Sequence, residues 1–299
     1  MINVCNTNLI LQGRFPRIAR LDAEKFLFLS EPEPVLEVLR KMSPRVDVFT
    51  FMQRLPETTP RYSFPMEMDN LAVLPISTFE QWWTRTIGFK ARNKAKQAAN
   101  KGAILREVPF SEELVHGIWR IYNECPIRQG RKFPHYGKDS ETVYREEATY
   151  LESSIFIGAF LDNELIGFAK LLVDQTQTQA GLLNIVSLIG QRDLAPSNAL
   201  IGQAVKSCAD RKIPYLVYSN FAYGMRERDS LSDFKERNGF QRIDIPRYFV
   251  PLTPLGHMAL RLGLHRSLKD RIPVRLAIKL RELRNEWYQR KLRSVSEAS

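Results

Sequence analysis

The sequence contains few of the residues that build metal sites and disulfide frameworks. Its 299 residues include 3 cysteines, at positions 5, 125 and 208, and 4 histidines. No CxxC pair and no Cys/His cluster occurs, so we expect neither a disulfide framework nor a bound metal. The sequence also lacks the motifs of serine hydrolases, zinc proteases, P-loop proteins and dinucleotide-binding domains, so those chemistries are set aside.

Long hydrophobic runs are missing as well. The apolar stretch from Leu182 to Ile189 is interrupted by Asn184 and Ser187. It is far shorter than the roughly 20 residues that span a bilayer. The N-terminal residues do not combine a basic start, an apolar core and a small-residue cleavage site. We therefore expect a cytoplasmic protein.

Positive charge is unevenly distributed along the chain. The net charge is +11, and residues 256–299 hold 11 Lys/Arg against 4 Asp/Glu. From Pro273 onward, Leu276, Leu280 and Leu283 recur at helical spacing among basic residues. This pattern predicts a basic amphipathic helical tail. It either docks on an anionic membrane surface, making the protein peripheral there, or on RNA, or packs against its own domain.

A second basic segment lies inside the chain. Residues 89–101 are rich in alanine and lysine, carry five basic residues and no acidic one, and are followed by Gly102. This composition predicts a helix that ends at the glycine. Its charged face either binds phosphates of tRNA or lipid or is simply solvated.

Strand and helix patterns predict an α/β (α+β) fold. Residues 1–77 predict short strands, among them 25–29, and one helix, which together form a shortened N-terminal α/β half. Farther along, Ile155–Leu161 and the strand after it predict a hairpin that turns at Asp162-Asn163. We predict three parts, namely residues 1–77, 78–253 and a basic tail at 254–299.

The order of elements from Ile155 to Thr253 is strand, turn, strand, long strand, helix, strand, helix, strand. Near its end, Asn238-Gly239-Phe240 joins the last helix to the final strand. A glycine in a left-handed turn ends such a helix, and the phenylalanine then enters the core. This order resembles the core of the GNAT acyltransferase superfamily. The resemblance implies a mixed sheet flanked by helices.

A longer stretch, residues 79–253, resembles the Fem-type aminoacyltransferases and related two-part GNAT proteins. This chain matches four features of these proteins. They are an Arg/Asn/Lys-rich helix at Arg92–Lys96, its terminal glycine at Gly102, the tyrosine of a later helix at Tyr122, and a basic loop at Arg128–Lys132.

The resemblance implies an N-acyltransferase. The group transferred would be acetyl from acetyl-CoA, or another acyl group from an acyl-CoA co-substrate, and the acceptor a small amine. A Fem-like transferase that uses aminoacyl-tRNA is the alternative. A non-catalytic GNAT-like module that binds nucleic acid or membrane is a third interpretation.

One segment departs from the pattern of the acetyl-CoA enzymes. These enzymes hold a diphosphate with a Gln/Arg-x-x-Gly-x-Gly/Ala loop at a helix N-terminus, because bare N–H groups and the helix dipole attract anions. In this chain Leu194 replaces the first glycine, and Pro196 removes an N–H donor near the second. Fem-like proteins also lack a regular loop. The predicted co-substrate-binding residues are Gln191, Arg192, Ser197, Asn198 and, from a later strand, Asn220.

The predicted catalytic residues are Ser187 and Tyr223. Ser187 interrupts an apolar strand, and Tyr223 follows the fifth core strand, where the resemblance implies a tyrosine that protonates the leaving thiolate. Both residues also suit ordinary sheet or surface positions. The predicted substrate-binding residues come from a loop rich in hydrogen-bond donors, which equally suits a solvated basic surface. They are Arg128, Arg131, His135 and Tyr136.

Overall fold

Strands and helices alternate along residues 2–29, 31–222 and 230–266, the residues that the computed structural model describes. The strands are β1 (Ile2–Val4), β2 (Thr7–Gln12), β3 (Ile18–Leu21), β4 (Val48–Met52), β5 (Met66–Pro75), β6 (Ile104–Val108), β7 (Ile127–Arg128), β8 (Arg131–Lys132), β9 (Ser154–Leu161), β10 (Glu164–Val173), β11 (Gln179–Ser187), β12 (Tyr215–Asn220) and β13 (Gln241–Pro251). The helices are α1 (Glu33–Lys41), α2 (Phe79–Gln81), α3 (Phe89–Asn100), α4 (Glu112–Asn123), α5 (Ser140–Glu147), α6 (Pro196–Asp210), α7 (Ser230–Arg237) and α8 (Pro254–Arg261).

The described residues form two compact units. Unit 1 comprises described residues of 2–89, 171–183 and 205–266, and unit 2 comprises residues 90–170 and 184–204. Strands β10 and β11 and helix α6 contribute residues to both units. The predicted boundaries after residues 77 and 253 stay predictions.

Unit 1 is built on a mixed sheet. Its strand order is β1-β2-β3-β4-β13-β5-β12, followed by the first residues of β11. Strand β3 runs parallel to β4, whereas β13 is antiparallel to both β4 and β5. Strands β12 and β11 are parallel, with a register from Tyr215 opposite Gln179 to Val217 opposite Gly181. Mixed pairing agrees with the predicted sheet.

Helix α1 covers part of this sheet. Glu33 in its first turn and Arg40 and Lys41 in its last turn complement the helix dipole. Its buried residues Val35, Leu36 and Leu39 join a cluster with β-strand residues such as Phe49. Burying this apolar face stabilises the helix more than its propensity does.

Unit 2 contains the strand order β6-β9-β10-β11. Helix α4 is capped by Ser111, whose Oγ accepts a hydrogen bond from the N–H of Leu114 at 3.2 Å. Its apolar face packs against Phe156 and Phe168 of the sheet. The predicted hairpin turn is confirmed, since Asp162 and Asn163 have φ of 51° and 65°, as a type I′ turn requires.

The sequence predicts other local features correctly, with one error. Gly239 has φ of 92° after α7, and Phe240 is buried, as predicted. The strand expected at residues 25–29 is wrong. There, the N–H groups of Phe26 and Leu27 both donate to the carbonyl of Ala23, whose φ of 49° turns the chain. A left-handed alanine leaves no signal in the composition of the segment.

The predicted helical tail from Pro273 lies outside the described residues. Within residues 2–29, 31–222 and 230–266, no helix is both long and apolar enough to cross a bilayer.

Replacing Gly256 with alanine tests how α8 docks in unit 1. A Cβ at this position would lie 1.9 Å from the carbonyl oxygen of Asp47, which is backbone and has little room to move. We expect Gly256→Ala to lower the free energy of unfolding by about 1–3 kcal/mol in urea denaturation. His257→Ala, at the exposed neighbouring position, is the control. Equal stability of the two variants would contradict this packing.

Candidate functional site

A buried carboxylate lies at the centre of unit 2. Glu147, at the end of α5, is 2% exposed. Its Oε1 accepts hydrogen bonds from the Tyr122 hydroxyl at 2.8 Å and from Asn184 Nδ2 at 3.0 Å. Lys170 Nζ lies 4.0 Å from Oε2 and donates to the carbonyls of Glu147 and Thr149. We call Glu147, Tyr122, Asn184 and Lys170 the Glu147 network.

Burial dominates the electrostatics of this network. It raises the pKa of Glu147, although the Tyr122 hydrogen bond and Lys170 oppose the rise. It also lowers the pKa of Lys170, with Glu147 acting in the opposite direction. Desolvation together with Glu147 raises the pKa of Tyr122 well above its ordinary value. Each group is nevertheless hydrogen-bonded, so the network ties α4 and α5 to β10 and β11.

His135 lies against this network. Its ring stacks on Tyr122 with the ring centroids 4.3 Å apart. Burial and Lys138 lower the pKa of His135, while Glu146 opposes them. Lys138 Nζ lies 3.4 Å from Nδ1. Glu146 Oε2 lies 3.7 Å from the same nitrogen, so Nδ1 of His135 faces both a donor and an acceptor.

A second polar cluster surrounds Arg128. Its guanidinium donates to the carbonyls of Ser187 and Ile121, each at 2.6 Å, and to Glu124 Oε2 at 3.1 Å. The cation also lies over the ring of Phe133. Burial lowers the pKa of Arg128, and Glu124 opposes this effect. Arg128 therefore joins the end of α4 to the end of β11.

Glu124 holds the connection from β11 to α6. Its Oε2 accepts a hydrogen bond from the N–H of Ile189 at 2.6 Å, and its Oε1 accepts one from the N–H of Gly190 at 2.9 Å. We call these two N–H groups the amide pair. One carboxylate thus satisfies two consecutive backbone donors, an arrangement that proteins otherwise offer to phosphates and other anions.

The rest of the connection is also hydrogen-bonded internally. The N–H groups of residues 191, 192, 194, 195 and 198 each donate to the carbonyl three residues earlier. Pro196 has no N–H, and Ala195 has φ of 52°. Most N–H groups of the segment are therefore already bonded, unlike those of a glycine-rich loop. The described residues do not fit the diphosphate of an acyl-CoA in the manner that the GNAT resemblance implies.

Helix α3 lies beside this connection. Ala91, Ala95 and Ala98 form its buried face. Gln97 Nε2 donates to the carbonyl of Asp193, and Lys101 Nζ lies 3.5 Å from the same oxygen. The predicted basic helix is thus confirmed, and it is placed next to the connection.

Asn220, the remaining predicted co-substrate residue, lies in unit 1. Its Nδ2 donates to Asp69 at 2.7 Å, and its backbone carbonyl accepts a hydrogen bond from Lys235. Asp69 also pairs with Arg247 at 2.9 Å. Although burial opposes it, Glu24 and Asp69 raise the pKa of Arg247. Asn220 is thereby held in an ion-pair network of unit 1.

The structure brings several other predicted residues together in unit 2. Ser187 Oγ and Ser197 Oγ are 3.3 Å apart, and Arg128 contacts the same serine through its carbonyl. Arg131 and Tyr136 are exposed, as is Arg192, whereas Gln191 and Asn198 are partly buried. Tyr223 lies outside the described residues. The catalytic and binding roles of all these residues stay predictions.

Sequence reasoning missed Glu124, Glu147 and Lys170. One signal was present for Lys170, a lone charge in the apolar strand Glu164–Val173. The spacing of Glu124 and Arg128, four residues apart, was another. Among the described residues, no group of three or more His, Cys, Asp or Glu side chains is arranged to hold a metal ion.

Glu147→Ala tests the buried network. The change leaves Tyr122 and Asn184 without their shared acceptor and leaves the buried Lys170 without its counter-ion, so we expect a loss of about 3–5 kcal/mol in the free energy of unfolding. Glu146→Ala is the matched control, because Glu146 makes a surface pair with Lys138 and should cost less than about 1 kcal/mol. Similar losses for both variants in urea titrations would contradict a central role for Glu147.

The pH dependence of stability tests the environment of His135. Its folded-state pKa lies below the ordinary value of 6.5. As pH falls through this window, the unfolded chain therefore takes up a proton that the folded protein resists. Between pH 7.5 and pH 5.5 we expect wild type to lose more stability than His135→Gln. His116→Gln, at an exposed position of α4, should follow wild type. If His135→Gln lost more stability than wild type over this pH range, the lowered pKa of His135 would be disproved.

No protein-family model and no curated protein matches the sequence. Solved structures do share its fold. The C-terminal domain of a protein described as a lysylphosphatidylglycerol synthetase from Agrobacterium fabrum superposes with a TM-score of 0.57 at 12% identity, covering 88% of this chain and 87% of that one. L-PGS from Bacillus licheniformis gives 0.54 at 12% identity, with 89% of each chain covered. FemX gives 0.55 at 10% identity, with 85% of each covered. At these identities the likeness concerns the fold alone, and over most of its length the chain shares the fold of these proteins.

Proposed function

We propose that this chain is an acyltransferase that takes an aminoacyl group from aminoacyl-tRNA and passes it to an amine. The observation that carries the proposal is the position of the basic helix α3 beside the β11–α6 connection in unit 2. A donor that approaches this connection meets a cationic helix at the same place.

The exposed charges of α3 suit a polyanionic donor. Lys90 and Lys94 are exposed, and the helix has no acidic residue to neutralise them. Its alanine face is buried, so its lysines are directed to solvent. Neutralising nucleic-acid phosphates with such side chains releases counterions and supplies salt-dependent affinity.

The comparisons support the same donor class. One structural neighbour is named for making lysylphosphatidylglycerol, an aminoacyl product. Another is FemX, and the Fem-type resemblance implies a charged-tRNA donor. Three neighbours above a TM-score of 0.5 cover 85–89% of this chain. The likeness of fold therefore extends beyond the GNAT core at residues 155–253.

The internal hydrogen bonding of the connection favours this donor over acyl-CoA. The expected acetyl-CoA or other acyl-CoA co-substrate requires free amides for its diphosphate. Here most N–H groups of residues 191–198 are bonded within the connection, and the amide pair just before them is bonded to Glu124. An aminoacyl-tRNA carries no diphosphate at its acyl end. Acyl-CoA use stays a prediction that this geometry does not favour.

The transfer itself needs positioning and proton movement. The acceptor amine attacks the ester carbonyl, the bond to the ribose oxygen breaks, and the amine proton passes to that oxygen. The hydroxyls of Ser187 and Ser197, 3.3 Å apart, are suited to relay this proton. His135, partly buried against Tyr122, is suited to hydrogen-bond a substrate group through its ring. Arg131 and Tyr136 lie exposed on the same loop for the acceptor.

The predicted membrane partner concerns residues 256–299. Of these, residues 267–299 lie outside the described part of the chain, so an anionic membrane surface as a partner stays a prediction. The identity of the acceptor amine follows from neither the fold nor the site.

Binding measurements with two ligands test the donor. We expect wild type to bind tRNA with an affinity that falls steeply with salt and to give no saturable calorimetric signal with acetyl-CoA. In Lys90→Gln/Lys94→Gln, the slope of log affinity against log salt should decrease by about 1 for each lysine that contacts a phosphate.

The control variant removes two exposed basic residues from another helix, Arg40→Gln/Lys41→Gln in α1. It should retain the wild-type salt slope. Tight acetyl-CoA binding without tRNA binding would contradict the proposal and restore the acyl-CoA prediction. Absence of binding to both ligands would leave the non-catalytic module as the better interpretation.

A further inference from the structure

Unit 2 contains an anion site that is already filled by the protein. The amide pair of Ile189 and Gly190 points at the carboxylate of Glu124, and both of its oxygens are used. Consecutive N–H groups that converge on one acceptor form a concavity for an anion. The site is therefore built for negative charge, and its occupant is a side chain.

Cationic side chains complete the site. Arg128 Nη2 donates to Glu124 Oε2 at 3.1 Å, and the Arg128 side chain is only 14% exposed. Its Nε is buried without an acceptor among the described residues. Arg192, one turn beyond the amide pair, is close enough to lower the pKa of Arg128, after burial and against the effect of Glu124. Without Glu124, the two amides and the Arg128 guanidinium would lose the acceptor that they share.

The place of this site in the chain is informative. It lies between β11 and α6, directly before residues 191–198, where the GNAT resemblance implies a loop for the diphosphate of acyl-CoA. A diphosphate held there would lie next to the amide pair, whose donors Glu124 already occupies. It would also meet a second negative charge at close range, which is strongly unfavourable in a partly buried site.

We infer that Glu124 is a specificity-determining residue, whose carboxylate fills the amide pair and thereby excludes acyl-CoA donors from this fold. The inference deepens the proposed function, on which it rests for the identity of the donor that is accepted. Glu124 itself takes no part in bond making. It determines which acyl donor the protein binds.

The test is a gain of binding. We expect Glu124→Ala to bind CoA at least about ten-fold more tightly than wild type in calorimetry, because two amides and Arg128 become available to the diphosphate. Pantetheine, which lacks the diphosphate, should bind wild type and variant equally. Glu124→Gln, which removes the charge but keeps the side chain, should show a smaller gain.

Glu164→Gln is the matched control, since Glu164 also pairs with an arginine of the α4 region, Arg120, but at an exposed position. Its CoA affinity should equal that of wild type. If Glu124→Ala does not fold, the CoA affinity of the neutral Glu124→Gln variant tests the role of Glu124, and we again expect it to exceed that of wild type. The inference is overturned if neither folded variant gains CoA affinity, or if pantetheine affinity rises equally.

Measuring tRNA binding on wild type in parallel separates this inference from the proposed function. A gain of CoA binding in Glu124→Ala, with no tRNA binding by wild type, would sustain the role of Glu124 and refute the proposed donor. Binding of tRNA without any gain of CoA affinity would refute only the role of Glu124.

Discussion

The carboxylate of Glu124 is the interaction on which the candidate site depends. It links the end of α4 to the amide pair at residues 189–190 and to Arg128, which itself reaches the carbonyl of Ser187. A charged group that accepts three hydrogen bonds fixes these segments more firmly than neutral contacts do. It also determines their chemistry, because donors that are already satisfied are not available to a ligand.

The Glu147 network gives this site a rigid support. It ties α5 to Tyr122 of α4, two residues before Glu124, and to Asn184 of β11, five residues before Ile189. Buried polar networks are costly unless every member is paired, and here Lys170 is also satisfied by the carbonyls of Glu147 and Thr149. Polar groups in the interior of unit 2 therefore position the loop that carries His135.

Sequence reasoning reached the fold through local signals. Asp162-Asn163 specified a hairpin turn, Gly239 ended a helix, and an alanine- and lysine-rich composition followed by Gly102 predicted α3. The sequence also indicated that Pro196 removes an N–H donor from the expected diphosphate loop. It did not find Glu124 because the partners of this residue lie 65 and 66 residues away, and no local pattern encodes which carboxylate meets which amide. The same limit applies to Glu147 and Asn184, 37 residues apart.

Amide hydrogen exchange at Ile189 and Gly190 tests the central claim most directly. If Glu124 holds both N–H groups in solution, NMR should find both amides protected in wild type and fast-exchanging in Glu124→Ala, with α4 still protected in each. Exchange of both amides at the rate of an unfolded chain in wild type would show that the pair is open. The connection would then be free to bind a donor diphosphate, contrary to the present account.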